Sequence, residues 1–187
     1  APALVHPKAD GGYEMVAGHR RKCAATLAGI TEMPCIVRNL TDDEATIIMV
    51  DSNLQRENIL PSEKAKAYKM KLEAIKRQGA RHDLTSTQVA QKLSVEKVAE
   101  EAGTSKDQIR RFIRLNELEP QLMQMVDEGK IGMTPAVEIS YLKPDEQKLL
   151  IETIDSEQAT PSFSQAQRMK RLSQEGKLND DAMLGIM

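Results

Sequence analysis

The sequence has 187 residues, with 26 Lys and Arg against 28 Asp and Glu and a formal net charge of −2, a length that suits one large or two small domains. Aromatics make up 3% and Trp is absent, which disfavours a sugar cleft or a stacking platform for single-stranded nucleic acid. Near-neutrality argues against a general polyanion binder, but residues 1–60, 61–116 and 117–187 hold 6, 13 and 7 basic against 8, 7 and 13 acidic residues, balances of −2, +6 and −6; such a basic middle can hold a polyanion.

The opening APALVHPKAD has neither a basic start nor an apolar core, so it does not read as a signal peptide. It lacks an initiator Met and begins where a strand is already under way, so the chain reads as a fragment. Leu4-Val5 and YEMV at 13–16 flank Gly11-Gly12 and predict a hairpin. Gly18 opens a helix over 18–28, with Ala24, Ala25, Leu27 and Ala28 expected on its buried side and Gly29 as its stop. PCIV at 34–37 reads as another strand. Thr41 then caps a helix whose first turn holds Asp42, Asp43 and Glu44, favourable at the positive helix end. Its members Ala45, Ile47, Ile48, Met49 and Val50 predict deep burial. Cys23 and Cys35 lack CxxC spacing and partner histidines, which argues against zinc and fits a reducing cytoplasm.

From Pro61 onward the periodicity is helical. A long helix over 61–77 carries its apolar stripe on Ala65, Tyr68, Leu72 and Ile75 and is expected to stop at Gly79. Residues 80–92 read as a polar connector. Helices follow over 95–102, 105–116, 120–128, 135–142, 144–154 and 164–175, with Pro120, Pro135 and Pro144 at starts, where a missing N–H costs little. Residues 179–187 show no clear pattern and read as a tail or truncated linker. No run of about 18 apolar residues occurs, so no membrane span is expected.

The segment VEKVAEEAGTSKDQIRRFIR carries the sharpest spacing. Ala99 is small where one helix must approach the next, and Gly103 falls four residues later, where a turn needs positive φ. Val98, Ile109 and Phe112 fall where apolar side chains close a helix-turn-helix, at about residues 95–115. Its second helix then presents Lys106, Asp107, Gln108, Arg110, Arg111 and Arg114 outward, with Thr104 or Ser105 at its N-terminus for a phosphate contact. Cations there reach base edges and phosphates when a helix enters the major groove. An ordinary pair of packed helices is the plainer alternative, but four cations within ten residues make a poor buried surface. A second cationic cluster, Gly18-His19-Arg20-Arg21-Lys22, sits at a helix start, where a bound anion would offset unfavourable charge. The alternative is that these side chains face water or pair with carboxylates such as Glu14.

YEMVAGHRRKCAATLAGI resembles the Gly-Glu-Arg-Arg box of the ParB partition proteins, and SNLQRENILPSEKA resembles their second signature, Glu-Asn-Leu-Gln-Arg before a helix. The helix-turn-helix follows at the place that family puts it, so the resemblance covers residues 4–175. It implies an α+β, mainly helical chain: an α/β ParB-like module over 1–60 and an all-α DNA-binding domain over 61–178. It implies a reader of a centromere-like palindromic site on double-stranded DNA, in plasmid or chromosome partitioning, in the bacterial cytoplasm on nucleoid or plasmid. It further implies a ParA-type ATPase partner, a homodimer in the full-length protein, and CTP with Mg²⁺ closing a clamp on DNA. Carried over, Gly18, His19, Arg20 and Arg21 fall on the triphosphate cradle, Asn53 on the metal-side ligand and Arg56 nearby. His19 and Ser52 stand where the family has Glu, and Cys23 where it has Arg. The lost carboxylates would hold Mg²⁺ and orient water, so the departures speak against CTP hydrolysis. The family's ParA-contacting N-terminal arm and C-terminal dimerisation domain are expected to lie outside this sequence. A transcriptional regulator of a plasmid or conjugative element is the alternative. Sulfiredoxin-like chemistry is disfavoured because Gly18 replaces the nucleophilic Cys. Nuclease action is disfavoured because Asp42, Asp43 and Glu44 are explained as helix-start residues.

Overall fold

The computed structural model describes residues 2–8, 10–82 and 87–187, and within them the side chains outside 79–82 and 87–93. They fall into two compact units, 1–58 with 67–102, and 59–66 with 103–187. This grouping divides the chain differently from a cut at residue 60, because most of one long helix belongs to the first unit.

The first unit contains a sheet of β1 (Ala3–Pro7), β2 (Tyr13–Ala17) and β3 (Cys35–Val37) in the order β2-β1-β3. β1 runs antiparallel to β2, with Val5 opposite Met15, and parallel to β3, with Val5 opposite Val37. Strand alternation buries Ala3 and Val5. Helix α1 (His19–Leu27) follows β2, and α2 (Asp42–Leu54) follows β3. Thr41 and Glu44 close a reciprocal capping box on α2, Glu44 N to Thr41 Oγ1 at 3.3 Å and Thr41 N to Glu44 Oε2 at 2.7 Å.

Two expectations of burial fail here. No residue of α1 is buried and Leu27 is 85% exposed; its Ala-rich side offers little area to bury. In α2 only Val50 and Asp43 are buried, while Ala45, Ile47, Ile48 and Met49 are half-buried. Apolar residues lie on too many sides of that helix for one sheet to cover them all.

Helix α3 (Pro61–His82) runs through Gly79, which therefore does not end it, and α4 spans Thr87–Glu101. A glycine within a helix costs only about 1 kcal/mol, too little to end a long helix by itself. The connector expected over 80–92 is thus helical at both ends, with 83–86 outside the described residues. The predicted stripe is correct: Ala65, Tyr68, Leu72 and Ile75 are all buried. Polar contacts join α3 to its neighbours in the first unit. Lys71, only 2% exposed, donates to Asp51 at 2.5 Å and pairs with Glu101 at 2.8 Å. Arg77 Nε donates to Asp43 Oδ1 at 2.7 Å.

The second unit holds the first turn of α3, then α5 (Lys106–Arg114), a single 3₁₀ turn at Leu115–Glu117, α6 (Pro120–Asp127), α7 (Met133–Ile139), α8 (Pro144–Glu157), α9 (Phe163–Gln174) and α10 (Asp180–Leu184). Pro135 lies inside the first turn of α7, which Gly132 caps. The core gathers Leu115, Leu122, Ile139, Leu150, Met169 and Met183. Residues 179–187, expected as a tail, instead contain α10: Asn179 Oδ1 accepts from Ala182 N at 2.9 Å, and Met183 is fully buried. Among the described residues no helix is long and apolar enough to cross a membrane.

Candidate nucleic-acid interface and anion pocket

In the first unit, the chain leaves β2 through Gly18, whose φ of +114° is left-handed space that glycine enters at little cost. A Cβ there would lie 2.8 Å from Ala3 Cβ and 3.1 Å from Ala3 Cα. Gly18 thus lets the start of α1 lie directly on β1. Replacing Gly18 by Ala is expected to destabilise the first unit by about 2–4 kcal/mol, combining backbone strain with overpacking. Gly103→Ala, at φ +61° with nothing within 4 Å of its added Cβ, is expected to cost only about 1 kcal/mol. Urea unfolding of the two variants checks both values; equal costs would refute the contact argument.

Beside Gly18 opens a cavity of about 170 Å³ lined by Val16, Ala17, Gly18, His19, Arg20, Arg21, Met49, Ser52, Asn53 and Arg56. It brings together all six residues singled out in sequence for a nucleotide. The start of α1 contributes backbone N–H groups, and its first turn has no acidic side chain. Arg21 Nη1 donates to the Pro2 carbonyl at 2.6 Å, which fixes the direction of that side chain. From α2, Met49, Ser52 and Asn53 share a face at i, i+3 and i+4. Met49 and Val16 were not singled out in sequence, although Met49 shares its helical face with Asn53. Glu14, the expected alternative partner of these cations, lies 3.3 Å from His6 Nε2.

The same residues do not fit a divalent cation. Mg²⁺ is held by one or two carboxylates together with phosphates and waters. The cavity has no carboxylate in its lining, and Asn53 and Ser52 offer only neutral oxygens. Glu14 and Asp42 line a neighbouring cavity of about 230 Å³. Among the described residues no group of three His, Cys, Asp or Glu side chains is placed to hold a metal.

The predicted helix-turn-helix segment comprises α4, in the first unit, and α5, in the second. Val98 and Ala99 of α4 and Ile109 of α5 are buried, while Phe112 is half-buried. Gly103 has the positive φ expected of the turn, +61°. Ser105 caps α5, its Oγ accepting from Gln108 N at 3.1 Å, which leaves its O–H to donate. Thr104 and Gln108 are half-buried, and Lys106, Arg110 and Arg111 are exposed. Arg110 Nη1 reaches Asp107 Oδ1 at 3.1 Å on this surface.

Arg114 differs from the expectation that it faces outward. Its Nη2 donates to the Ser140 carbonyl at 2.6 Å, its Nε to Ser140 Oγ at 3.2 Å, and its guanidinium lies 4.2 Å from the Tyr141 ring centroid. Lys170 Nζ lies 3.8 Å from the same ring centroid. Position 114 lies at the end of α5, where the helix meets the core of its own unit, so its hydrogen bonds form within that unit.

These features define a class: a small α/β module with an anion pocket, joined to helices containing a helix-turn-helix segment. Family models for the ParB N-terminal domain and the ParB HTH domain match residues 1–54 and 57–175. The chain belongs to the ParB family. It is 34% identical over 145 residues to the chromosome-partitioning protein Spo0J of Thermus thermophilus, covering 78% of this chain and 47% of that protein. To a probable chromosome 1-partitioning protein ParB of Deinococcus radiodurans it is 36% identical over 135 residues, covering 72% of this chain and 41% of the relative. The chain thus spans less than half the length of these relatives. It is also similar to the crystal structure of the C-terminally truncated ParB of Caulobacter crescentus complexed to the centromeric parS site. That match has a TM-score of 0.53 and 25% identity, covering 94% of this chain and 82% of the other.

Proposed function

We propose that this chain is the DNA-site-reading part of a partition protein, binding a palindromic centromere-like duplex through α5. The observation that carries this reading is the exposed cationic face of Lys106, Arg110 and Arg111 behind a Gly103 turn and a Ser105 cap. A helix entering the major groove reads guanine O6 and N7 through arginine, while its N-terminal N–H groups and hydroxyls hold phosphate. The acidic remainder of the second unit restricts non-specific adhesion to DNA.

In the same proposal the cavity beside Gly18 holds the triphosphate of CTP, with Arg20, Arg21 and Arg56 facing the phosphates and Asn53 donating beside them. No carboxylate lines the cavity to orient an attacking water, so the reading is binding without hydrolysis. A ParA-type ATPase partner, homodimerisation in the full-length protein and nucleoid or plasmid association belong to the same reading. One half-site contact is weak, and a second through dimerisation raises affinity by effective concentration.

Selection of bound sequences from random duplexes tests the proposal. The expected result is enrichment of one palindromic motif, with log affinity falling linearly against log salt. Recovery of unenriched sequence would refute site-specific reading.

A further inference from the structure

We infer that the cavity beside Gly18 takes its polyphosphate ligand free of metal, with arginine charge doing what a divalent cation and its carboxylates would otherwise do. The inference rests on the proposed nucleotide reading of that cavity and concerns the form in which the ligand enters.

Three guanidinium groups, Arg20, Arg21 and Arg56, share the lining with His19, and no acidic side chain does. Three of the four carboxylates of the adjacent helix are engaged elsewhere. Asp43 receives Arg77 at 2.7 Å, Glu44 closes the Thr41 cap at 2.7 Å, and Asp51 receives Lys71 at 2.5 Å. Asp42 lines the neighbouring cavity with Glu14. Positive charge at the start of α1 adds to the partial positive charge of the helix N-terminus. A divalent cation carried in with the nucleotide would meet this field without an acidic ligand to receive it, and would reduce the anionic charge the guanidiniums engage. Charge-assisted arginine–phosphate bonds, which are bidentate where geometry allows, gain most from the uncomplexed polyphosphate.

Isothermal titration of the full chain with CTP, once with Mg²⁺ and once with EDTA, tests this. The expected ratio of Kd in EDTA to Kd in Mg²⁺ is below one, and a ratio of one or more overturns the inference. Binding only in Mg²⁺ overturns it while leaving the nucleotide reading intact; binding in neither buffer overturns both. The variant carrying His19→Glu and Ser52→Glu adds two carboxylates to the lining. Its ratio is expected to exceed the parent's by about tenfold or more, and a ratio unchanged from the parent's overturns the role assigned to the missing carboxylates.

Discussion

Replacing Arg110 and Arg111 together by alanine is expected to abolish selective DNA binding while leaving helical content unchanged. Both side chains are exposed on α5, and neither belongs to the apolar core of the second unit, so their loss costs little folding energy. A well-placed arginine contributes about 1–3 kcal/mol of discrimination at a base pair. Two such losses lower affinity for the preferred duplex by about thirtyfold or more and remove its advantage over random DNA. Fluorescence anisotropy on specific and scrambled duplexes reads both quantities. Retained discrimination in the double variant would refute the recognition-helix assignment.

Arg114→Ala supplies the internal contrast. Its guanidinium donates to the Ser140 carbonyl at 2.6 Å and stacks on Tyr141, so truncation removes internal bonds rather than an outward cation. The expected consequence is destabilisation by about 1–3 kcal/mol, with DNA affinity per folded molecule nearly unchanged. Arginines three residues apart on one short helix would then separate into a reading residue and a folding residue.

That separation shows where sequence reading reaches and where it stops. Spacing identified the second helix and its turn, because each depends on neighbours within a few positions. It could not locate Arg114's partner, since Ser140 lies 26 residues away. The four positions of the α3 stripe were legible for the same local reason, and so was the strand–Gly–helix turn at Gly18. The gathering of Asn53 and Arg56 with Gly18 followed only from the ordered family motifs, because those residues come from separate elements. Helix α10 escaped notice because its five residues are too few for periodicity. Its Asn179 cap and acidic first turn were the available signals. Burial was overestimated in α1 and α2 because an apolar count does not specify how much neighbouring surface exists to cover it.

The ion network at Lys71 was equally invisible in sequence, and its loss carries a large expected effect on stability. Burial acts to lower the Lys71 pKa, but hydrogen bonds and charge from Asp51 and Glu101 outweigh it, and the net shift is upward from 10.5. A lysine with a raised folded-state pKa contributes stability that is fully present below its unfolded pKa and lost as pH rises through the folded one. The parent should therefore weaken only above about pH 10 on account of this group. Changing Asp51→Asn together with Glu101→Gln leaves a lysine that is 2% exposed without its counter-charges, at an expected cost of about 3 kcal/mol near neutral pH. With burial then the remaining influence, the folded pKa falls below the unfolded value and the sign of the dependence reverses. The variant should gain stability as pH rises from about 7 toward 10, where the parent's contribution from Lys71 stays flat. Urea midpoints across that range distinguish the two. Parallel pH profiles would mean that Lys71 is held by packing of its aliphatic stem rather than by its two carboxylates.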